Sequence, residues 1–259
     1  MRKKTKVLFT AGVFLLMMTG NALAHFGMLV PSDSMVMQGD KQKVSLNISF
    51  SHPFEGIGMI MVKPAKFSVV SDGKVQNLLG ALKETKVFEN TAWTINYKVK
   101  RPGVYAFFME PEPYWEPAED CFIIHYTKTV IASFGYEDGW DEPLGLKTEI
   151  VPLTRPFGLY AGNAFQGVVM LDGKPVPGSI VEVEYFNQDG KAMAPTDYMV
   201  TQTVKADMNG VFTYAVSKSG WWGFAALNGS DKKMKYKGED KDVELGAVIW
   251  VEFVEWQQK

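Results

Sequence analysis

The chain has 259 residues, with 27 basic and 29 acidic side chains, a formal net charge of −2 and 46% apolar residues. That apolar content suits packed globular cores, and the lack of a basic excess argues against nucleic acid as a partner. Cys121 is the only cysteine, which excludes an intramolecular disulfide.

The first feature in chain order is a targeting segment. Arg2, Lys3, Lys4 and Lys6 precede an apolar stretch from Val7 to Met18 that is broken only by Thr10 and Gly12, and Ala22-Leu23-Ala24 comes next. A basic region, an apolar run and small residues where signal peptidase reads predict a secretory signal over residues 1–24, cut between Ala24 and His25. The run is too short for a comfortable membrane span, and no later segment approaches the needed length, so the mature chain is expected to have no transmembrane segment. The basic start and the absence of a cysteine after the cut place the expected mature protein in a bacterial periplasm. Residues 1–24 carry four basic residues and no acidic ones, so the mature chain has 235 residues and a net charge of −6.

Strand signals dominate the mature chain. Val44 to Phe50 reads V-S-L-N-I-S-F, with Val44, Leu46, Ile48 and Phe50 on one face, and Thr91 to Val99 places Trp93, Ile95, Tyr97 and Val99 on one face. Val104–Met109, Asp120–Thr127 and Val130–Phe134 read the same way. Asp72-Gly73, Arg101-Pro102-Gly103 and Asp138-Gly139 are turn signals between them. The clearest helix-like stretch, Leu78 to Glu84, is short and weak.

A boundary is expected near Glu142-Pro143-Leu144-Gly145, after which the pattern restarts. Lys147–Leu153, Ala164–Leu171, Ile180–Phe186, Gly220–Leu227 and Gly246–Val254 read as strands, and Gln202–Ala206 with Val211–Val216 as a hairpin about Asn209-Gly210. Many short strands with regular turns predict an all-β chain of two β-sandwich domains, residues 25–145 and 146–259. From Gly167 to Leu227, the segments G-V-V-M-L-D-G-K-P-V-P-G-S-I-V-E-V-E-Y, T-V-K-A-D-M-N-G-V-F-T-Y and S-G-W-W-G-F-A-A-L resemble the carboxypeptidase-regulatory or transthyretin-like module. The resemblance implies a binding or spacer domain and no particular reaction.

The chain holds three histidines, His25, His52 and His125, all in the first half. His25 becomes the mature amino terminus and offers two nitrogen donors, its α-amine and its imidazole. His52 comes just after the strand ending at Phe50, and His125 shares a strand face with Cys121 and Ile123. A sandwich can bring these strand ends to the amino terminus, giving three imidazoles and one amine around an ion. Such donors select a transition metal rather than calcium or magnesium. Separate strands supply them, so spacing alone does not establish the site, and each histidine taken singly is more often a hydrogen-bonded or surface residue. Glu110, Glu112, Glu116, Glu119 and Asp120 crowd one segment with Tyr114 and Trp115. That segment is read first as a solvated loop with an aromatic plug, and second as an acidic rim or source of one carboxylate ligand. Glu112, Tyr114 and Trp115 are therefore secondary site candidates. Met35, Met37, Met59 and Met61 are core packing first and soft donors for copper second.

His25-Phe26-Gly27-Met28-Leu29-Val30-Pro31-Ser32, Ser51-His52-Pro53-Phe54-Glu55-Gly56, Glu112-Pro113-Tyr114-Trp115-Glu116-Pro117-Ala118-Glu119-Asp120 and Phe122-Ile123-Ile124-His125-Tyr126-Thr127-Lys128 resemble a family of periplasmic proteins, formerly a domain of unknown function, associated with nickel and cobalt uptake systems. The resemblance covers most of the mature chain and implies delivery of Ni²⁺ or Co²⁺ to a membrane metal-uptake transporter. It does not identify the ligands, and Cu²⁺ or Zn²⁺ also suit the donors. No serine-nucleophile motif, phosphate loop or H-E-x-x-H helix occurs, so the chain is expected not to be an enzyme. Two alternatives stay open. One is a copper-binding protein or copper oxidative enzyme built on the amino-terminal histidine; the other is a metal-free surface module for sugar or protein.

Overall fold

The computed structural model describes residues 24–258, and these are all-β apart from two short 3-10 turns. The expected signal segment lies outside the described residues except for Ala24.

Three sheets build the molecule. The first joins Phe26–Pro31, Lys43–His52, Asn90–Lys98 and Lys83–Val87 in that order. The second is a long sheet running through Thr201–Lys205, Ile180–Tyr185, Gly220–Gly229, Glu239–Val254, Cys121–Ser133, Gly103–Glu110, Lys66–Ser71 and Lys74–Asn77. The third joins Thr148–Pro152, Ala164–Leu171 and Lys174–Pro175, with Val211–Ala215 on its other side. Period-two alternation decides which side chains each sheet buries. Val44, Leu46, Ile48 and Phe50 enter a core with Phe67, Phe107 and Ile131, between the first sheet and one end of the long sheet. Ile150, Phe165, Val181, Phe212 and Phe224 form a second core between the third sheet and the other end.

The two sandwiches thus share the long sheet. Cys121–Ser133 and Glu239–Val254 pair in parallel from Cys121 opposite Asp242 to Thr129 opposite Trp250. On Glu239–Val254, Ala247, Ile249, Val251 and Phe253 face the second core, whereas Val248 and Trp250 face Phe26 and Met28 of the first strand. The small sheets therefore cover opposite faces of the long one, one at each end. Phe26 and Trp250 are fully buried and meet edge-on with centroids 5.9 Å apart, and the Trp250 indole N–H donates to the Gly27 carbonyl at 2.9 Å. Burial of each such ring contributes about 1.5–3 kcal/mol, so the amino-terminal strand is clamped at the junction of the halves.

Three local expectations are revised. The two strands read as Asp120–Thr127 and Val130–Phe134 are one continuous strand, Cys121–Ser133. Lys128 stays inside it because its ammonium reaches the Glu149 carboxylate at 2.9 Å. Leu78–Glu84 forms only a 3-10 turn, Leu79–Ala81, and Lys83 opens a strand. The expected hairpin around Asn209-Gly210 has its turn, in which Asp207 accepts the Asn209 and Val211 N–H groups. Its arms diverge, however: Thr201–Lys205 joins Ile180–Tyr185 in the long sheet, and Val211–Ala215 joins Ala164–Leu171 in the third.

Candidate metal centre

Antiparallel register brings the first two histidines together. Phe26 lies opposite Ser51, so the residues just beyond them, His25 and His52, meet at the strand ends. Their imidazoles are 4.5 Å apart, tilted by 52°. The His25 Nε2 lies 2.9 Å from Glu116 Oε2, and both side chains are largely buried. Burial, together with the neighbouring His52, lowers the His25 pKa to about 4, against the opposing pull of Glu116. The ring is therefore neutral at pH 7, with its proton on Nε2 donating to Glu116. That leaves the Nδ1 of His25 unprotonated, with its lone pair able to accept. A carboxylate that fixes the tautomer of an imidazole in this way is the usual support for a metal-ligating histidine. His52 Nδ1 lies 2.8 Å from the Ala24 carbonyl oxygen. A carbonyl only accepts, so this nitrogen carries the proton.

His125 lies one layer below, on the long sheet. The Gly27 N–H donates to its Nδ1 at 3.2 Å, and its Nε2 faces Glu244 Oε1 at 3.4 Å. The side chain is 1% exposed. Two glycines make room for it. A Cβ on Gly246, its partner across the parallel ladder, would overlap the imidazole ring, and one on Gly27 would strike Thr127 and the His125 Cβ. Phe50 contacts both levels, its centroid 5.6 Å from His25 and 5.6 Å from His125. The structure thus gathers all three histidines at one junction, with His25 and His52 paired and His125 beside them with both ring nitrogens engaged. Among the described residues, no group of three or more His, Cys, Asp or Glu side chains is arranged to hold a metal ion.

Carboxylates from both halves surround this junction, and sequence reading did not single them out. Glu116 belongs to the acidic segment, but it is the buried member of that segment and the one that reaches His25. Its Oε1 also accepts the Ala118 N–H at 2.9 Å. Glu244 and Glu182 come from the second half. Burial, then Glu244 and Glu119, raises the Glu182 pKa to about 7. Burial and the carboxylates Glu119, Glu244 and Glu116 push the Cys121 thiol up to about 11, so it stays protonated and is a poor thiolate ligand. Glu184 is fully buried; it accepts the Phe54 N–H at 2.9 Å and the Thr201 hydroxyl at 2.8 Å, tying the loop after His52 to the second half.

The secondary candidates divide. Tyr114 packs against Phe50 at 4.9 Å and approaches His25 at 6.3 Å. Trp115 turns away and stacks on Tyr236 at 3.8 Å, in a packing role. Glu112 is exposed at the rim of a cavity of about 120 Å³. Met61, Met109, Phe50, Tyr114 and His125 are among the residues lining that cavity. No described helix is long and apolar enough to cross a membrane.

Comparison with known proteins adds a family and little else. No curated protein matches the chain. Among solved structures, the D0-D1 domain of intimin is 12% identical, with 89% of this chain and 100% of that chain covered and a TM-score of 0.24. The native conformation of alpha-2-macroglobulin from E. coli is 10% identical, with 89% of this chain and 14% of that chain covered and a TM-score of 0.25. The adhesin InvE of Yersinia pseudotuberculosis is 11% identical, with 85% and 58% covered and a TM-score of 0.23. Superpositions this loose carry no argument about function. The family described as Domain of unknown function (DUF4198) matches residues 22–229, and the chain belongs to that family.

Proposed function

We propose that this chain is a periplasmic transition-metal binding protein that delivers Ni²⁺ or Co²⁺ to a membrane uptake transporter. The observation that carries the reading is the pairing of His25 and His52, with centroids 4.5 Å apart at the predicted mature amino terminus. Cleavage before His25 would release an α-amine on the same residue as an unprotonated Nδ1, and the two can chelate one ion. Glu116 holds the His25 ring in the tautomer this requires. Neutral nitrogen donors suit nickel, cobalt, copper and zinc, and copper should bind most tightly in vitro whatever the cargo. The transporter and the choice of nickel or cobalt rest on the resemblance to periplasmic proteins of such uptake systems. The likeness of the second half to carboxypeptidase-regulatory or transthyretin-like modules supports a binding or spacing role there. The reading is of a carrier, not an enzyme.

Calorimetric titration of tag-free protein starting at His25 with Ni²⁺ tests the proposal. One ion should bind per chain, and His25→Ala and His52→Ala should each weaken it at least about tenfold, a loss of 1.4 kcal/mol or more. His125 is the third proposed ligand, and to ligate it must give up the Gly27 N–H or the contact with Glu244. A loss of affinity in His125→Ala equal to that in His52→Ala assigns it to the ion, and unchanged affinity with lowered stability assigns it to packing. Binding indifferent to all three substitutions refutes the site.

A copper reading draws on one further observation: Met61 and Met109 line the same cavity as His125. Thioethers prefer Cu(I). Tighter Cu(I) binding that Met61→Leu or Met109→Leu weakens, alongside weak Ni²⁺ binding, would favour it.

A further inference from the structure

The carbonyl oxygen of Ala24 stands between the two paired histidines. It lies 2.8 Å from His52 Nδ1. Peptide geometry also fixes it ~2.3 Å from the backbone nitrogen of His25, across the shared carbonyl carbon. That nitrogen becomes the α-amine once the Ala24–His25 bond is cut. One point in space is therefore within 2.8 Å of His52 Nδ1 and within ~2.3 Å of the future amine, while metal–nitrogen bonds run about 2.0–2.1 Å. In the uncut chain a carbonyl oxygen stands there, accepting the proton of His52 Nδ1. The His25 nitrogen is then a planar amide with no basic lone pair.

We propose that the uncut Ala24–His25 junction is a latch on the metal site, its carbonyl standing where the ion binds, so that proteolytic processing creates the site. Hydrolysis of the peptide bond adds one water. The acyl carbon leaves as the Ala24 carboxylate with the released segment, and the His25 nitrogen becomes an amine. Two donors are freed together, the amine and His52 Nδ1, while His25 Nδ1 was already oriented by Glu116. The latch is well seated, because Ala24 packs with Phe26, Met28, Trp221 and Trp250 and is only 8% exposed. An unprocessed chain therefore folds with its site closed, and metal loading comes after export. This inference rests on the proposed metal reading and deepens it.

The test compares three proteins of defined amino terminus with Ni²⁺ alone as the probe. The first begins at His25. The second begins at Ala24. The third begins at His25 with an acetyl group, which restores the carbonyl without the alanine side chain. Calorimetry should find the second and third weaker than the first by about 100-fold or more, the scale expected when chelation is lost. Nitrogen-15 NMR should show His52 Nδ1 protonated in the two capped forms and deprotonated in the first on binding diamagnetic Zn²⁺. Thermal unfolding of all three confirms that the fold is retained. Equal or tighter binding by either capped form, with tight binding by the first, overturns the latch while leaving the metal site standing. Absence of Ni²⁺ binding by the first form overturns the metal reading itself, and the latch with it.

Discussion

Lys128 and Glu149 form a charged pair buried at 2% and 4% exposure, one residue from each half of the chain. The Lys128 Nζ donates to Glu149 Oε2 at 2.9 Å. Glu149 also accepts the N–H groups of Leu144 at 3.0 Å and Gly145 at 2.9 Å, in the connection between the halves. Burial pulls the Lys128 pKa below its ordinary value, while Glu149 pulls it back up. Replacing Glu149 by Gln keeps the shape but leaves a buried ammonium facing a neutral amide, and one connection N–H loses its acceptor. Breaking a buried pair from one side costs about 3–5 kcal/mol. Urea denaturation at pH 7 should show a deficit of that size, with proteolytic nicking appearing first near residues 142–147. Lys128 then has a folded pKa depressed below its unfolded value of about 10.4, so the unfolded chain binds the extra proton and stability rises with pH up to that value. The deficit of Glu149→Gln should accordingly shrink at pH 9.5. The double variant Lys128→Met, Glu149→Leu should recover most of the loss, because a well-packed apolar pair can replace a buried ion pair. A single-variant loss under about 1 kcal/mol, the range of exposed pairs, would refute the assignment.

The junction of the halves yields three further expected outcomes. Gly246→Ala places a methyl group against the His125 ring and should cost about 1–3 kcal/mol in urea unfolding, whereas a loss under about 0.5 kcal/mol would mean that the ring has room to move. Glu184 has a folded pKa of about 8 against an ordinary 4.5, so stability should fall as pH rises through that window; Glu184→Gln should flatten the fall and exceed the wild type at pH 9 by on the order of 2 kcal/mol. With His25 already neutral, Ni²⁺ affinity of the processed chain should fall below the amine pKa of ~7.7–8.0, and Glu116→Ala should weaken binding by about 10–100-fold with the fold intact, as titrations from pH 6 to 9 would measure.

The alternation of Val44, Leu46, Ile48 and Phe50 was readable because a strand's two faces are set by its own residues, and the same holds for Trp93, Ile95, Tyr97 and Val99. What each strand pairs with is set elsewhere. The turn at Asn209-Gly210 is local and was legible; the divergence of its arms depends on the faces that Val181 and Phe165 present, and a hairpin pattern carries no trace of that. At the site, the concentration of histidines in the first half was visible, and so was the position of His25 at the predicted cleavage point. The part played by Glu116 was not separable from that of its acidic neighbours, since only the pairing of Trp115 with Phe122 shows which carboxylate turns inward. Glu244, Glu182 and Gly246 were invisible as site residues because they lie more than fifty positions from any histidine and arrive through the long sheet. A glycine inside a run of strand-forming residues, which marks a close approach of a neighbour, is the one signal that could have pointed to Gly246.

The parallel ladder also sets the order in which the molecule can be assembled. Cys121 meets Asp242 and Thr129 meets Trp250, so the central pairing joins segments 121 positions apart in the chain. Closing so long a loop is slow compared with forming the hairpins on either side. The residues that seat the amino-terminal strand, Val248 and Trp250, lie more than 200 positions after Phe26 and Met28 in the chain. Phe26 and Met28 therefore find their places against residues synthesised long after them. His25 and His52 can be brought to the junction and held there only after the strand Glu239–Val254 is available. A chain truncated before Glu239 would retain every histidine and still lack the wall against which they are set.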